Sequence, residues 1–276
     1  MKLNKYIWLA ALPMLFTACQ EDALVENHQG LEGKFVLKAS VDKEGSFSRA
    51  QIKLEEQENG RIFGAFQWDE GDGFRMFEVT SSRDEYENEV FTIGDSHLFE
   101  ISEYSNESPS TSATFVSETT PTDGTRFYAY YPSLDVNEDG ETITMALDST
   151  LTSNSADAWK KYFNKNMYMM SEGYIRGTET EVRFQHLCGL INVSYTNDSS
   201  TSKYIKGISV DGKWRTSGKV YVDNRWNCVK ETLDEDGYGI SFTNPVEVAA
   251  GAEENFFILF MQPNGEATKM SKLSIV

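Results

Sequence analysis

Short runs in which apolar and polar residues alternate dominate the chain and predict β-strands. The clearest run is Lys34–Val41, in which Phe35, Leu37, Ala39 and Val41 fall on one face. Similar runs recur through most of the chain, separated by turn residues such as Gly, Asn and Asp. Many short strands at similar spacing are typical of all-β folds, so we expect antiparallel β-sandwiches.

The other predicted strands are bounded by turn signals. They are Arg61–Trp68, Phe74–Val79, Ala113–Val116, Arg126–Tyr131, Glu141–Leu147, Asn166–Met170, Glu181–Tyr195, Ile205–Asp211, Gly218–Val222 and Phe256–Met261. The first two flank a turn at residues 69–73, which predicts a hairpin between them. Residues 83–112 are mostly polar, with only brief apolar runs.

One strand is apolar on both faces. Within Glu181–Tyr195, Leu187, Ile191 and Val193 share one face, and the opposite face is apolar near Cys188. A strand of this kind is usually central in its sheet. We therefore expect Ile191→Ala to lower the free energy of unfolding by about 2–5 kcal/mol.

A single short helix is predicted. Ser155 is a good N-cap for Ala156–Phe163, and Trp159 and Phe163 lie four residues apart on one face. The expected fold is thus all-β with one short helix.

The first residues have the order of a secretion signal. Two early lysines precede the apolar run Ile7–Phe16, which is too short to cross a bilayer. The following Leu15–Cys19 segment resembles a bacterial lipobox, in which the cysteine is acylated and becomes the mature N-terminus. The interpretation is a cleaved signal peptide at residues 1–18 and lipidation at Cys19, with an N-terminal membrane anchor as the alternative.

The rest of the chain divides into three predicted parts. Residues 19–33 are polar and acidic and would tether the lipid to the fold. Residues 34–178 would form an N-terminal β-sandwich and residues 179–276 a C-terminal one. The sequence stops within a strand-like pattern at 272–276, so we expect the native C-terminus to extend beyond Val276.

Composition excludes some functions. The 276 residues carry 25 Lys and Arg against 43 Asp and Glu, a formal net charge of −18. Such a chain would repel nucleic-acid phosphates, so no nucleic-acid partner is expected. With 39% hydrophobic and 13% aromatic residues, wholesale disorder is excluded.

No residue set predicts a cofactor, a metal ion or a catalytic centre. The cysteines and histidines lack metal-ligand spacing, and no nucleophile, metalloprotease or nucleotide motif is present. Cys188 and Cys228 could form one disulfide or remain two buried thiols. Asp135–Gly140 imitates the start of an EF-hand loop, but Ala146 stands where the bidentate Glu belongs, which favours a hairpin turn.

Five segments, in order along the chain, resemble motifs of the fimbrillin-like surface lipoproteins of Bacteroidetes, relatives of type V pilus subunits. They are Ser48-Arg49-Ala50, Trp68-Asp69-Glu70-Gly71-Asp72, Tyr128-Ala129-Tyr130-Tyr131-Pro132, Asn166-Met167-Tyr168-Met169 and the strand Phe184–Val193 with its His186. Asn166 replaces an acidic residue of the family pattern. The resemblance covers roughly residues 34–195.

The resemblance implies two transthyretin-like β-sandwiches, made as an acylated precursor and exported to the outer surface. In assembling members a protease cuts after an Arg in the loop following the first strand, and a strand from another subunit fills the vacated groove. On this chain the removable strand would carry Phe35, Leu37, Ala39 and Val41, and cleavage would follow Arg49.

The leading hypothesis is therefore a non-enzymatic, lipid-anchored outer-membrane lipoprotein, a structural or accessory subunit of fimbriae with a role in cell adhesion. Its partners would be other fimbrial subunits, the membrane and an undetermined glycan or host-surface ligand. The alternative is a surface glycan-binding lipoprotein beside an outer-membrane transporter, with an exposed aromatic platform that includes Trp214 or Trp226. A glycoside hydrolase would need two facing carboxyl groups in a cleft.

Overall fold

The structure is a computed structural model. It describes residues 34–41, 54–56, 62–64, 68–104, 112–212, 214–223, 230–234, 237–261 and 272–276. Cys19, Arg49, Trp226 and Cys228 lie outside these residues, so the predictions made for them stay predictions.

The described residues are mostly β-strand, which confirms the all-β class with one helix. In the first part of the chain the strands are β1 (Phe35–Val41), β2 (Leu54–Glu56), β3 (Ile62–Gly64), β4 (Gly73–Arg83), β5 (Glu89–Tyr104), β6 (Ser112–Ser117), β7 (Arg126–Tyr131), β8 (Thr142–Ala146) and β9 (Thr150–Leu151). After helix α1 (Ala156–Asn166) follow β10 (Met169–Tyr174), β11 (Glu181–His186), β12 (Cys188–Thr196), β13 (Lys203–Val210), β14 (Trp214–Tyr221), β15 (Lys230–Asp234), β16 (Tyr238–Val248), β17 (Glu253–Met261) and β18 (Leu273–Ile275).

Seven strands form a closed barrel in the order β1-β11-β10-β7-β4-β5-β6. Every neighbouring pair in this ring is antiparallel except β1 and β11, which are parallel. A closed ring with an odd number of strands cannot alternate direction throughout, so one parallel pair is required. The expectation of purely antiparallel sandwiches is therefore wrong at this junction.

Strands β2 and β3 form a separate two-stranded sheet, and the other strands outside the barrel build two further sheets that share a core. One has the order β12-β17-β14-β15, with β8 also paired to β14, and the other has the order β18-β13-β16-β9. The rings of Phe242 on β16 and Phe256 on β17 lie 5.6 Å apart, between the two sheets. Strands β8 and β9 precede β10 and β11 in the chain, so the barrel and these sheets interleave in sequence. The predicted boundary between the two β-sandwiches, at residues 178 and 179, falls between the barrel neighbours β10 and β11.

Helix α1 begins as predicted and ends three residues later than predicted. The Ser155 hydroxyl accepts a hydrogen bond from the Ala158 amide, which caps the helix. Trp159 and Phe163 stack with ring centroids 5.6 Å apart and pack against Phe257. In the described part of the chain, no helix is long and apolar enough to cross a membrane.

One strand-pairing prediction was wrong. The predicted hairpin across residues 69–73 does not form, because β3 pairs with β2 while β4 pairs with β5 and β7. The mostly polar stretch at residues 83–112 contains the long strand β5. Its polarity reflects exposure, since the outer half of the β4–β5 ribbon lies largely in solvent.

The strand predicted at Glu181–Tyr195 is broken at Leu187. Its first part is β11 in the barrel, and its second part, β12, belongs to another sheet. Among the described strands β12 pairs only with β17, so it lies at the edge of the described sheet and not at the centre expected from sequence. Ile191 is only partly buried.

Candidate functional site: the groove of the first strand

Strand β1 is hydrogen-bonded on both sides. It pairs with β6 from Phe35↔Ser117 to Ser40↔Ser112, and with β11 from Lys38↔Glu181 to Val41↔Phe184. Strand β1 is therefore not an edge strand. Removing β1 would break two ladders and open the barrel between β6 and β11.

The inward face of β1 is the one predicted from its alternation. Phe35, Leu37, Ala39 and Val41 are buried, whereas Lys38 points outward and is exposed. The four buried side chains belong to the barrel core. They supply one wall of that core, so a barrel without β1 would expose apolar surface to water.

Aromatic rings lie beneath β1. Trp68 contacts Phe115 and Phe184 edge-on, with centroids 4.9 and 5.7 Å apart. Phe74 contacts the same two rings at 5.0 and 5.1 Å. All four side chains are fully buried. We call these four rings the floor, and the floor together with the flanking strands β6 and β11 the β1 groove.

A tight turn fixes Trp68. The Asp72 carboxylate accepts hydrogen bonds from the Asp69 amide at 2.8 Å and from the Tyr131 hydroxyl at 2.6 Å. Gly71 has φ +82°, a left-handed conformation that a side chain would disfavour. Trp68, which directly precedes this turn, also contacts the Tyr131 ring at 5.5 Å. The turn therefore positions the floor of the groove.

Four of the segments that carry the family resemblance meet at this place. Tyr131 pairs with Met169, and Met169 pairs with His186 in the neighbouring strand. Phe184, on the same strand as His186, contacts Trp68. Segments far apart in sequence thus build one end of the β1 groove. The fifth, Ser48–Ala50, lies outside the described residues.

A buried polar chain lies near the first residues of β1. The His97 ring nitrogens lie 2.9 Å from Glu78 Oε1 and 2.7 Å from Thr119 Oγ1, and Thr119 in turn lies 3.2 Å from Ser117 Oγ. Burial alone would raise the pKa of Glu78, but hydrogen bonds from Thr122 and His97 outweigh it and hold the pKa below its ordinary value. His97 lies in β5 and is a hydrogen-bonded residue of the barrel.

The segment Asp135–Gly140, which imitates the start of an EF-hand loop, forms a hairpin turn in which Val136 pairs with Ile143. Hydrogen bonds from Thr142 and from the Glu141 amide lower the pKa of Asp139 to about 2. Asp135 instead forms an ion pair with Arg75 at 2.8 Å. Within the described residues no group of His, Cys, Asp or Glu is arranged to hold a metal ion.

Trp214 is not available as a sugar-binding surface. It is 5% exposed and contacts Phe260 edge-on at 5.0 Å. The described aromatic side chains that are strongly exposed are Tyr86, Tyr174 and Tyr204, and no ring contact joins them. Cys188 is buried and its thiol lies 3.6 Å from the Asn166 carbonyl oxygen.

Sequence reasoning identified the strand but missed its floor. Trp68 and Phe184 were noted as parts of motifs, while Phe74 and Phe115 were assigned only to strands. The missed signal is that Phe115 and Phe184 lie on the two strands that flank β1, which only the barrel's strand order reveals.

Comparison with known proteins gives distant structural neighbours. No family model matches the chain, and no curated protein matches it. A candidate cell adhesion protein from Bacteroides ovatus aligns at TM-score 0.43 with 12% identity, over 82% of this chain and 77% of that chain. One from Bacteroides uniformis aligns at 0.37 with 13% identity, over 83% and 75%. A candidate adhesin from Bacteroides ovatus aligns at 0.31 with 10% identity, over 87% and 70%.

Proposed function

We propose that the chain is a non-enzymatic cell-surface lipoprotein and a structural or accessory subunit of fimbriae assembled by donor-strand exchange. In this proposal Cys19 carries the lipid anchor, cleavage after Arg49 releases β1, and a strand from another subunit takes its place. The two units would be transthyretin-like sandwiches, as the family resemblance implies.

The observation that carries the proposal is the position of β1 in the ring. The strand is short, lies at the start of the described chain and closes the barrel between β6 and β11. Because both of its neighbours would be left with unpaired backbone groups, the open groove would favour the addition of another strand. Main-chain hydrogen bonds would supply affinity, and the pockets under the inward side chains would supply selectivity.

Limited trypsin treatment of the folded protein tests the release of β1. We expect wild-type protein to be cut first after Arg49, and the product to form higher-order species in size-exclusion chromatography. The Arg49→Gln variant is the matched control and should remain uncut at this position and monomeric. Resistance of Arg49 in the folded protein, or simple unfolding after the cut, would argue against donor-strand exchange.

The lipid anchor requires a separate test. Two or more acyl chains give stable membrane attachment, whereas one chain attaches only marginally. Wild-type protein expressed with its signal peptide should enter the detergent phase, and Cys19→Ala should remain in the aqueous phase. Equal aqueous partitioning of both proteins would refute lipidation at Cys19.

A further inference from the structure

Alternation of apolar and polar residues does not by itself fix the register of a strand in the β1 groove. Shifting a strand by one residue turns its apolar face to solvent, which burial of that face opposes. Shifting it by two residues keeps the apolar face inward and preserves the ladder pattern. Something else must therefore distinguish Phe35, Leu37, Ala39 and Val41 from the same strand displaced by two residues.

One row of paired residues in the groove consists of small side chains. Ala39 pairs with Ala113 on β6 and with Val182 on β11, and all three side chains are buried. We call these three residues the small row. The neighbouring rows are bulky, since Leu37 pairs with Phe115 and Val41 pairs with Phe184.

The rings of Trp68 and Phe74 cover the small row. Phe115 and Phe184 lie on opposite sides of β1 and in the rows on either side of Ala39. Trp68 and Phe74 each contact both of these rings, at centroid distances between 4.9 and 5.7 Å. A ring that reaches both must extend across the small row. Ala39 therefore faces the part of the barrel core in which these aromatic rings pack.

We propose that the small row, covered by Trp68 and Phe74, locks the register and the direction of any strand in the β1 groove. The strand it selects has a small residue at the third inward position and larger apolar residues at the other three. A displacement by two residues would bring Leu37 or Val41 against the rings, and interiors at native density resist added methylene groups.

The same lock sets the strand's direction. The flanking strands run antiparallel to each other, so a strand in either direction has one parallel and one antiparallel neighbour. Backbone pairing therefore discriminates weakly. In a strand reversed in place the second inward residue would meet the small row, and bringing the third residue there would need a shift by two residues that leaves the row opposite Ser117 empty. When the inference is applied to an incoming strand from another subunit, it rests on the proposed function.

The intact protein tests the lock without any strand exchange. The double variant Leu37→Ala with Ala39→Leu keeps the composition of β1 but moves the small position by two residues. The control Leu37→Val with Val41→Leu also exchanges two inward side chains and leaves the small position in place. We expect the first to lose most of the folded population at a urea concentration where the control remains mainly folded.

A size series covers the case in which the swapped variant fails to fold. Ala39→Gly should lower the urea midpoint less than Ala39→Val, and Ala39→Leu should lower it most, because added bulk meets the packed rings. The outward-facing change Lys38→Leu is the control for added bulk. Equal midpoints for Ala39→Leu and Lys38→Leu would overturn the lock.

Peptide exchange separates the lock from the proposed function. The full chain would be cleaved at a specific protease site inserted after Val41, and β1 then challenged with synthetic peptides spanning residues 34–41. A peptide of wild-type sequence should displace β1 at a concentration roughly tenfold or more below that needed by the peptide with Leu37 and Ala39 exchanged. Equal displacement by both peptides would overturn the lock and leave strand exchange standing. Displacement by neither would count against strand exchange, and the urea midpoints would then decide the lock alone.

Discussion

Strands β1 and β12 show how differently two apolar strands can be placed. Strand β1 has strict alternation, yet it is paired on both sides and closes the barrel. Strand β12 is apolar on both faces, yet among the described strands it pairs only with β17. Side-chain pattern therefore reports which faces are covered and not how many neighbours a strand has. The removable strand of the proposal is structurally the more enclosed of the two.

The largest expected effect of a single substitution is at Trp68. Trp68→Ala would leave a cavity below β1 and should lower the free energy of unfolding by about 3–5 kcal/mol. Tyr195→Ala on β12 is the comparison, and it should cost less because Tyr195 is partly exposed. Urea titrations of both variants measure the difference. Similar losses would show that the floor of the groove is no more important than the surface of β12.

The next comparison uses one aliphatic residue from each strand. Leu37 is 1% exposed, so Leu37→Ala should cost about 2–5 kcal/mol. Ile191 is partly exposed, and Ile191→Ala should cost less than Leu37→Ala, in contrast to the loss expected from sequence. Chemical denaturation decides the order. A larger loss at Ile191 would reverse the comparison between β1 and β12.

A smaller effect is expected at the turn that fixes Trp68. Tyr131→Phe removes the hydroxyl that donates to Asp72 and leaves a buried carboxylate oxygen with one hydrogen bond fewer. The expected loss is about 1–3 kcal/mol. Tyr174→Phe, at a tyrosine that is 59% exposed, is the matched control and should be close to neutral. A neutral Tyr131→Phe would show that the hydroxyl does not hold the turn.

The smallest effect is a dependence on acid. The pKa of Glu78 is lower in the folded protein than in the unfolded chain, because hydrogen bonds from Thr122 and His97 outweigh the effect of burial. Its contribution to stability is therefore complete above the unfolded pKa and is lost as the pH falls through the folded pKa. Glu78→Gln should flatten the decline of the urea midpoint at acidic pH, and Glu172→Gln is the comparison variant at a more exposed carboxylate. If the urea midpoints of the two variants fall with pH in parallel, Glu78 is not the cause of the decline.

The sequence was sufficient for local features and insufficient for those that depend on strand order. The alternation at β1 and the cap at Ser155 are set by neighbouring residues and were predicted correctly. The break at Leu187 and the parallel pairing of β1 with β11 depend on closure of the ring. The floor of the groove was missed for the same reason, because Phe115 and Phe184 become neighbours of β1 only through tertiary structure.

The central claim is that β1 is a replaceable part of a closed barrel. Native mass spectrometry tests it most directly, on wild-type protein cut by trypsin after Arg49 and mixed with an isotopically labelled peptide spanning residues 34–41. The account predicts that the cut protein loses its own β1 fragment and binds one labelled peptide while remaining folded. Retention of the original fragment without exchange, or unfolding once it leaves, would contradict the claim.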